Sequence, residues 1–170
     1  MPPEVSVPAV ALASVAVMML AEARRSRTNE HALRQRGAVE PADDVYRAMA
    51  VVYPGMFFAM TAEGVLTGPA SDVWLIAGVA VFAAAKALKV WAIATLGPRW
   101  SYRVLVLPAL PLVASGPYAH LRHPNYVAVF GEIAGFAMMV HAAVTGILSM
   151  VVFAILMRKR IAVEERALGL

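Results

Sequence analysis

The sequence contains no cysteine, and only 15% of its 170 residues are charged. The absence of cysteine excludes disulfide bonds, thiolate metal sites and a cysteine nucleophile. Soluble domains are typically about 25% charged and about 45–50% apolar. Here 61% of the residues are hydrophobic and the mean hydropathy is +0.68. These values indicate an integral membrane protein.

The chain also lacks the patterns of the common soluble enzymes. It has no glycine-rich phosphate loop and no serine nucleophile elbow. His120 and His123 are three residues apart, but they lie in a proline-broken segment without a third ligand, so we predict no metal site. The length leaves no room for a separate soluble catalytic domain. We therefore predict one membrane-embedded domain, 1–170, with its chemistry at the membrane face.

Long apolar segments predict an all-α bundle of about five transmembrane helices. Three of them, residues 8–21, 46–66 (bent or broken near Pro54) and 73–96, form an N-terminal part within 1–96, with 22–44 as a surface segment. The apolar stretch 125–157 would measure about 50 Å as one helix, against a hydrocarbon core of about 30 Å. We expect a short hairpin of two helices of about 16 residues, turning near 141–146 and followed by a cytoplasmic C-terminal helix. A strongly tilted single helix is the alternative.

The positive charges orient this bundle. Thirteen of the fifteen Lys and Arg residues fall in three segments, 22–47, 97–123 and 158–170. Five helices place all three segments on one side, which the positive-inside rule makes cytoplasmic. The N-terminus is then outside, in a cell (inner) membrane. Because topology accounts for the basic balance, we expect a lipid bilayer and no nucleic acid as partner.

The other two basic residues, Lys86 and Lys89, lie within the third span. Their long stems allow the ammonium groups to reach the interface. The alternative is that both face the bundle interior. Glu132 lies in the fourth apolar segment, where an acid is either neutral, paired with Lys86 or Lys89, or lining a cavity.

Two polar stretches border the last apolar segment, SGPYAHLRHPNY at 115–126 and RKRIAVEERAL at 158–168. The five-helix topology puts both on the cytoplasmic face, where they can meet. Arg160 and Glu164 are four residues apart and share one helix face. A guanidinium group suits an oxyanion, and the helix beginning at Pro124 offers free amides to an anion. The alternative is that both stretches are solvated caps at headgroup level.

These stretches resemble the isoprenylcysteine carboxyl methyltransferase family of integral membrane enzymes. The pattern is GPYAHLRHPNY at 116–126, followed after about 30 apolar residues by RIAVEERAL at 160–168. In the N-terminal half, TNEHALRQRGAVE at 28–40 and RWSYRVLVLPALPLV at 99–113 are similar to a bacterial branch thought to O-methylate long-chain alkylpyrones or alkylresorcinols.

The resemblance implies S-adenosylmethionine as methyl donor, held by the connector 97–124 and the C-terminal helix. It implies Arg160 and Glu164 as catalytic residues. Arg160 would clamp the acceptor oxygen, and Glu164 would orient Arg160. Asn125 stands where relatives vary, so its role is open. Candidate substrate-binding residues are Glu132, Trp100 and Arg103. Four residues match the family's cofactor-binding entry, Gly116, Tyr118, His123 and Tyr126. Val113, Asn125 and Glu165 are further cofactor-binding candidates.

The implied reaction is methyl transfer to an oxygen, carboxylate or enol/phenol, of a lipophilic small molecule that enters between helices. Three alternatives remain open. Membrane sterol reductases, which use NADPH, and phospholipid N-methyltransferases are similar in the same region. The third is a non-enzymatic membrane subunit.

Overall fold

The computed structural model describes residues 3–107 and 110–169. Over these residues the chain is built from five α-helices, which confirms the all-α class. The helices are α1 (Pro3–Gln35), α2 (Tyr46–Thr67), α3 (Asp72–Leu96), α4 (Pro124–Met139) and α5 (Ala143–Leu168). The connector between α3 and α4 holds two 3₁₀ helices, Gly97–Arg99 and Gly116–Ala119. Residues 108–109, in the middle of the predicted connector, lie outside the described residues.

Three segments of the described chain are long and apolar enough to cross a membrane. They are Val7–Gln35, Tyr46–Thr67 and Asp72–Arg99. The chain is thus a membrane protein. α4, with 16 residues, is shorter than the roughly 20 residues that a span perpendicular to the membrane needs. Crossing of the membrane by α4 and α5 therefore stays a prediction.

α1 is longer than the sequence predicted. It does not end near Ala21 but continues through the polar segment to Gln35. Ser26 and Leu33, seven residues apart and on one helix face, are buried because this extension packs against the connector. The helix ends in a Schellman motif: Ala38 N–H bonds to Leu33 O and Gly37 N–H to Arg34 O. Gly37 supplies the left-handed conformation, with φ of 85°, that this motif requires.

α2 runs without interruption through Pro54, so the break considered at that residue is absent. α3 and α4 approach each other closely because small residues face each other along their contact. A Cβ atom on Gly135 would lie 2.6 Å from the amide nitrogen of Phe82 and 2.8 Å from the carbonyl oxygen of Gly78. This small-residue contact is typical of helix pairs in membranes. It lies within the chain, between α3 and α4.

Residues 125–157 form two helices and not the single tilted one; α4 has the expected 16 residues, but α5, with 26, is longer than predicted. The chain turns at residues 140–142, where His141 adopts a positive φ of 58°. Glu63 on α2 caps the start of α5 by accepting the amides of Val144 and Thr145, at 2.9 and 2.6 Å. α5 continues for 26 residues through the charged motif to Leu168, so the expected C-terminal helix is the end of α5.

Candidate functional site

The two polar stretches meet at one end of the bundle, which we call the connector end. The first turn of α4 and the last turns of α5 lie side by side there. The Tyr126 hydroxyl donates a hydrogen bond to Glu164 Oε2 at 2.8 Å. It also accepts one from Arg160 Nε at 2.9 Å. Tyr126 therefore bridges the two predicted catalytic residues.

Arg160 is held by three partners at once. Besides Tyr126, it donates from Nη1 to Asp44 Oδ1 at 3.0 Å and from Nη2 to the main-chain carbonyl of Tyr102 at 2.5 Å. Only 7% of Arg160 is exposed. The ion pair of this guanidinium is thus with Asp44, and the expected direct orientation by Glu164 is replaced by a contact through Tyr126. Arg160 consequently has a fixed position between α2, α4 and the connector.

His123 and Glu165 extend this cluster towards solvent. The His123 ring stacks on Tyr126 with centroids 5.4 Å apart, and its Nε2 lies 3.4 Å from Glu165 Oε1. Glu164 and Glu165 are about one third exposed, at 32% and 30% of their side chains. The connector end therefore presents two partly exposed carboxylates beside two aromatic rings.

Local sequence explains this geometry. Pro124 occupies the first turn of α4, where its missing N–H is not needed and its fixed φ suits a helix. Gly116 has a φ of 56°, and a Cβ atom there would lie 2.6 Å from Thr95 Oγ1. Only glycine fits both conditions. The motif glycine thus lets the connector pack against α3, and it does not line the cavity described next.

We call Tyr126, Arg160 and Glu164 the polar cluster. A cavity of about 930 Å³ opens beside it, near the top of the range of about 300–1,000 Å³ for small-molecule sites. Its inner part is apolar, with Leu12 and Val15 of α1, Phe57 of α2 and Phe153 of α5. Ten of the twelve predicted site residues line it, all except Gly116 and Glu132. The ten are Trp100, Arg103, Val113, Tyr118, His123, Asn125, Tyr126, Arg160, Glu164 and Glu165.

The connector wall of this cavity is held by α1. Asn29 Nδ2 donates to the carbonyls of Trp100 and Gly97, at 2.7 and 3.2 Å. Arg103 Nη1 lies 2.5 Å from Glu40 Oε1, and this hydrogen bond raises the pKa of Arg103. Trp100 is 3% exposed. Both predicted substrate residues of this segment therefore also have structural partners.

Glu132, the third predicted substrate residue, is 1% exposed and belongs to a closed ring of charges. Lys86 Nζ lies 3.0 Å from Glu22 Oε1 and 2.6 Å from Glu132 Oε1. Lys89 Nζ lies 2.7 Å from Glu22 Oε2 and 3.1 Å from Glu132 Oε2. We call these four residues the ion ring. Both lysines thus face the bundle interior, and the carboxylate of Glu132 is paired within the protein.

The cavity contains groups that fit a nucleoside carrying positive charge, as S-adenosylmethionine does. Among residues 3–107 and 110–169, no group forms a hydrogen bond with the buried Asn125 Oδ1, so this atom can accept from a ligand N–H. Glu164 and Glu165 can attract a cationic group, and the rings of Tyr118 and His123 offer flat surfaces. Burial, followed by the nearby Glu164 carboxylate, raises the pKa of Tyr118, so its hydroxyl stays protonated. In the described ranges, no group of three or more His, Cys, Asp or Glu could hold a metal ion.

Sequence reasoning missed Asp44, Tyr102 and Glu22. Asp44 accepts from Arg160, from the amide of Tyr46 and from the amide of Val104. Its position two residues before an apolar helix is a signal for a helix-capping acid. Tyr102 contributes a main-chain carbonyl, for which no side-chain pattern exists. Glu22 could have been found as the acid nearest the end of the first apolar run.

Comparison with protein families confirms the resemblance. Residues 76–169 match the model of the isoprenylcysteine carboxyl methyltransferase (ICMT) family. The chain belongs to this family. The match covers α4, α5, the connector and most of α3. It therefore includes both polar stretches, 115–126 and 158–168. Because it belongs to the ICMT family, this protein is classed as a membrane methyltransferase.

Two curated relatives extend the similarity to the N-terminal half. An uncharacterized protein, YpbQ, of Bacillus subtilis (strain 168) is 31% identical over 92% of this chain and 94% of its own length. An uncharacterized protein of Haemophilus influenzae (strain ATCC 51907 / DSM 11121 / KW20 / Rd) is 22% identical over 83% of each chain. No solved structure matches this ICMT family member.

Proposed function

We propose that this protein transfers a methyl group from S-adenosylmethionine to an oxygen of a lipophilic small molecule at the cytoplasmic face of the membrane. The whole chain, 1–170, forms one methyltransferase domain in this proposal. The observation that carries it is the single cavity that joins the polar cluster of Tyr126, Arg160 and Glu164 to an apolar interior. Such a cavity accommodates both a charged donor and a greasy acceptor.

The donor is assigned to the polar part of the cavity. Asn125 accepts a hydrogen bond from an N–H group of S-adenosylmethionine. Glu164 and Glu165 attract the positive charge of this methyl donor. Tyr118, His123 and Tyr126 surround its flat base. When bound, S-adenosylmethionine supplies a methyl group already activated by its attachment to a sulfonium. The protein therefore mainly needs to align the acceptor oxygen and to exclude water.

Arg160 and Tyr126 provide this alignment. Arg160 is rigid because three acceptors hold it, and a rigid guanidinium retains N–H groups able to face an acceptor oxygen. Its positive charge, in a buried position, stabilises negative charge on that oxygen before transfer. We assign Arg160 as the oxygen clamp and Tyr126 as the residue that orients both Arg160 and Glu164.

The proton balance separates the two acceptor classes. A carboxylate acceptor carries no proton on the attacking oxygen, so no base is required. An enol or phenol acceptor must lose one proton, and Glu164 is the carboxylate best placed to take it. Its Oε2 is bonded to Tyr126, and its partial exposure allows the proton to pass to solvent.

The acceptor enters from the membrane between α1 and α2. Leu20 on α1 and Phe58 on α2 both line the cavity, and they are 66% and 62% exposed. The cavity wall is therefore open to the lipid side at this level. An alkyl or prenyl chain can occupy the apolar interior while its oxygen-bearing head reaches Arg160.

Isothermal titration of the detergent-purified protein with S-adenosylmethionine, its demethylated product and NADPH tests the donor. We expect the first two to bind and NADPH not to bind. Binding of NADPH alone would favour a reductase of the sterol type. Binding of none of the three would favour a non-enzymatic subunit and would overturn the proposal.

Turnover is tested with methyl-labelled S-adenosylmethionine and lipids extracted from the native membrane. Transfer of label to the organic phase is expected. Release of labelled methanol by alkali would identify a methyl ester, and stability to alkali a methyl ether of an enol or phenol. Label retained on a phospholipid amine would instead favour an N-methyltransferase. Arg160→Lys keeps a charge opposite Asp44, but its compact ammonium lacks the planar fork that meets three separate acceptors, so we expect it to lose at least about 100-fold in kcat.

A further inference from the structure

The ion ring has no part in the proposed chemistry, yet it is the most concentrated set of buried charges among the described residues. Each carboxylate of the ring bridges both lysines, and each lysine bridges both carboxylates. The two acids and two bases cancel in net charge. Because all four side chains are at least 82% buried, the ring fixes α1, α3 and α4 relative to one another.

Two tyrosine hydroxyls donate to this ring from outside. Tyr102 of the connector donates to Glu22 Oε2 at 3.2 Å. Tyr53 of α2 donates to Glu132 Oε2 at 2.5 Å. The two contacts are chemically alike, since each phenol reaches the carboxylate oxygen that also contacts Lys89. Of these two tyrosines, only Tyr102 also hydrogen-bonds to Arg160.

That link runs through a single residue. The Tyr102 side chain is fixed by Glu22, and its main-chain carbonyl accepts the hydrogen bond from Arg160 Nη2. Its own amide donates to Ser26 Oγ on α1 at 2.8 Å. Burial, followed by the Glu22 carboxylate, raises the pKa of the Tyr102 phenol, so its hydroxyl remains a donor. Tyr102 thus connects the ion ring directly to the guanidinium of Arg160.

We propose that Tyr102 is a positioning residue through which the ion ring fixes Arg160 for methyl transfer. This proposal rests on the function proposed above. The ring anchors the connector at the depth where the Tyr102 carbonyl meets α5, and the carbonyl sets the orientation of the guanidinium plane. A displacement of about 1 Å at a catalytic group can cost on the order of 100-fold in rate. Loss of one remote hydroxyl therefore acts on catalysis more than on donor binding.

Tyr102→Phe tests this, with Tyr53→Phe as the matched control. Both variants remove one phenol hydroxyl from the ring and leave its four ion pairs in place. We expect Tyr102→Phe to lower kcat on the order of tenfold with the KM for S-adenosylmethionine unchanged. Tyr53→Phe, which removes the shorter of the two hydrogen bonds (2.5 Å against 3.2 Å), should lower the Tm at least as much and leave kcat unchanged. The proposal would be overturned if the two variants had the same kcat. It would also be overturned if the loss of kcat in each variant were proportional to its loss of Tm.

A thermodynamic cycle keeps the test independent of turnover. Tyr102→Phe and Arg160→Lys are combined, and so are Tyr53→Phe and Arg160→Lys, and unfolding midpoints are measured in detergent. We expect the first pair to be non-additive and the second to be additive, because Tyr102 hydrogen-bonds to Arg160 whereas Tyr53 hydrogen-bonds to Glu132. Additivity in both cycles would overturn the positioning role even if the protein is an active methyltransferase. If Tyr102→Phe and Arg160→Lys are non-additive but the protein binds no S-adenosylmethionine, only the proposed function is overturned.

Discussion

Arg160 and Asp44 are 116 positions apart in the sequence, yet Nη1 of the arginine lies 3.0 Å from Oδ1 of the aspartate. Their side chains are 8% and 3% exposed. The pair joins the end of α5 to the residue whose carboxylate accepts the first amide of α2, that of Tyr46. It is thus both the main electrostatic contact of the proposed clamp and a closure between the first and last parts of the chain.

Replacing Asp44 with alanine is expected to destabilise the protein strongly. It leaves the buried guanidinium without its carboxylate partner, and breaking a buried pair in this way typically costs about 3–5 kcal/mol. It also removes the acceptor for the amides of Tyr46 and Val104. Denaturant unfolding of the detergent-solubilised protein measures the loss.

The adjacent acid provides the control. Asp43 pairs with Arg166, but the two side chains are 56% and 68% exposed. Exposed pairs contribute about 0–1 kcal/mol, so Asp43→Ala should be close to wild type. Similar losses for the two variants would show that burial of the Arg160–Asp44 pair has no energetic consequence.

Asn125→Leu is expected to weaken donor binding without lowering stability. Asn125 Oδ1 has no hydrogen-bond partner in the part of the chain that the structure describes, so its removal breaks no contact there at that atom. A lost hydrogen bond to the donor costs about 1 kcal/mol, which is roughly a fivefold rise in Kd. Isothermal titration gives the Kd and a thermal melt gives the stability.

Asn29→Ala is the comparison, since Asn29 bonds two connector carbonyls and its loss should lower the Tm. An Asn125 variant that binds S-adenosylmethionine as tightly as wild type would remove this residue from the donor site.

Much of the architecture could be predicted because it depends on local patterns. Apolar runs located α2 and α3 to within one residue at each end. The length of the apolar stretch 125–157 predicted the hairpin and the distribution of positive charge supported it, and the hairpin brought residues 115–126 next to α5. Glu132 could be matched with Lys86 and Lys89 because buried charges require partners.

The remaining features depend on tertiary contacts. The extension of α1 to Gln35 is stabilised by the connector, through Asn29 and Ser26, and its polar composition alone does not predict a helix that packs. The partner of Arg160 is Asp44 and not the neighbouring Glu164, because the fold brings α2 to the guanidinium. No spacing rule contains that information, and the role of a main-chain carbonyl at Tyr102 leaves no trace in residue type.

Gly135→Ala is expected to disrupt the contact between α3 and α4. The added Cβ would lie 2.6 Å from a backbone nitrogen of α3, and overpacking of this kind costs about 1–3 kcal/mol or more. Gly55→Ala on α2 is the matched control, because no atom of the described residues lies within 4 Å of the new Cβ. That variant should be neutral or slightly more stable, since alanine favours a helix by roughly 0.5–1 kcal/mol. Equal melting temperatures for the two variants would contradict the close approach.

Glu63→Ala is expected to loosen the hairpin at the end opposite the proposed site. Glu63 accepts the first amides of α5 and the Thr145 hydroxyl, and Ala142 at the N-cap offers no side-chain acceptor. Loss of a cap costs about 0.5–2 kcal/mol. Hydrogen exchange should therefore rise at Val144 and Thr145 while the amides near Tyr126 keep their protection. Faster exchange at both ends would show that the effect is global and not a local loss of the cap.

Glu40→Gln is expected to make stability less sensitive to acid. Partial burial acts to raise the pKa of Glu40, but hydrogen bonds from Arg34 and Arg103 outweigh it and lower the pKa below its ordinary value of 4.5. The folded state therefore gains from the ionised carboxylate above about pH 4.5, and this gain is lost as the pH falls through the lower folded pKa. Because Glu40 is 22% exposed and Arg34 48%, we expect a difference of at most about 1 kcal/mol at neutral pH. Unfolding of both proteins measured from about pH 7 to about pH 3 should show the two stabilities converging. A constant difference across that range would mean that Glu40 contributes by packing and not by its charge.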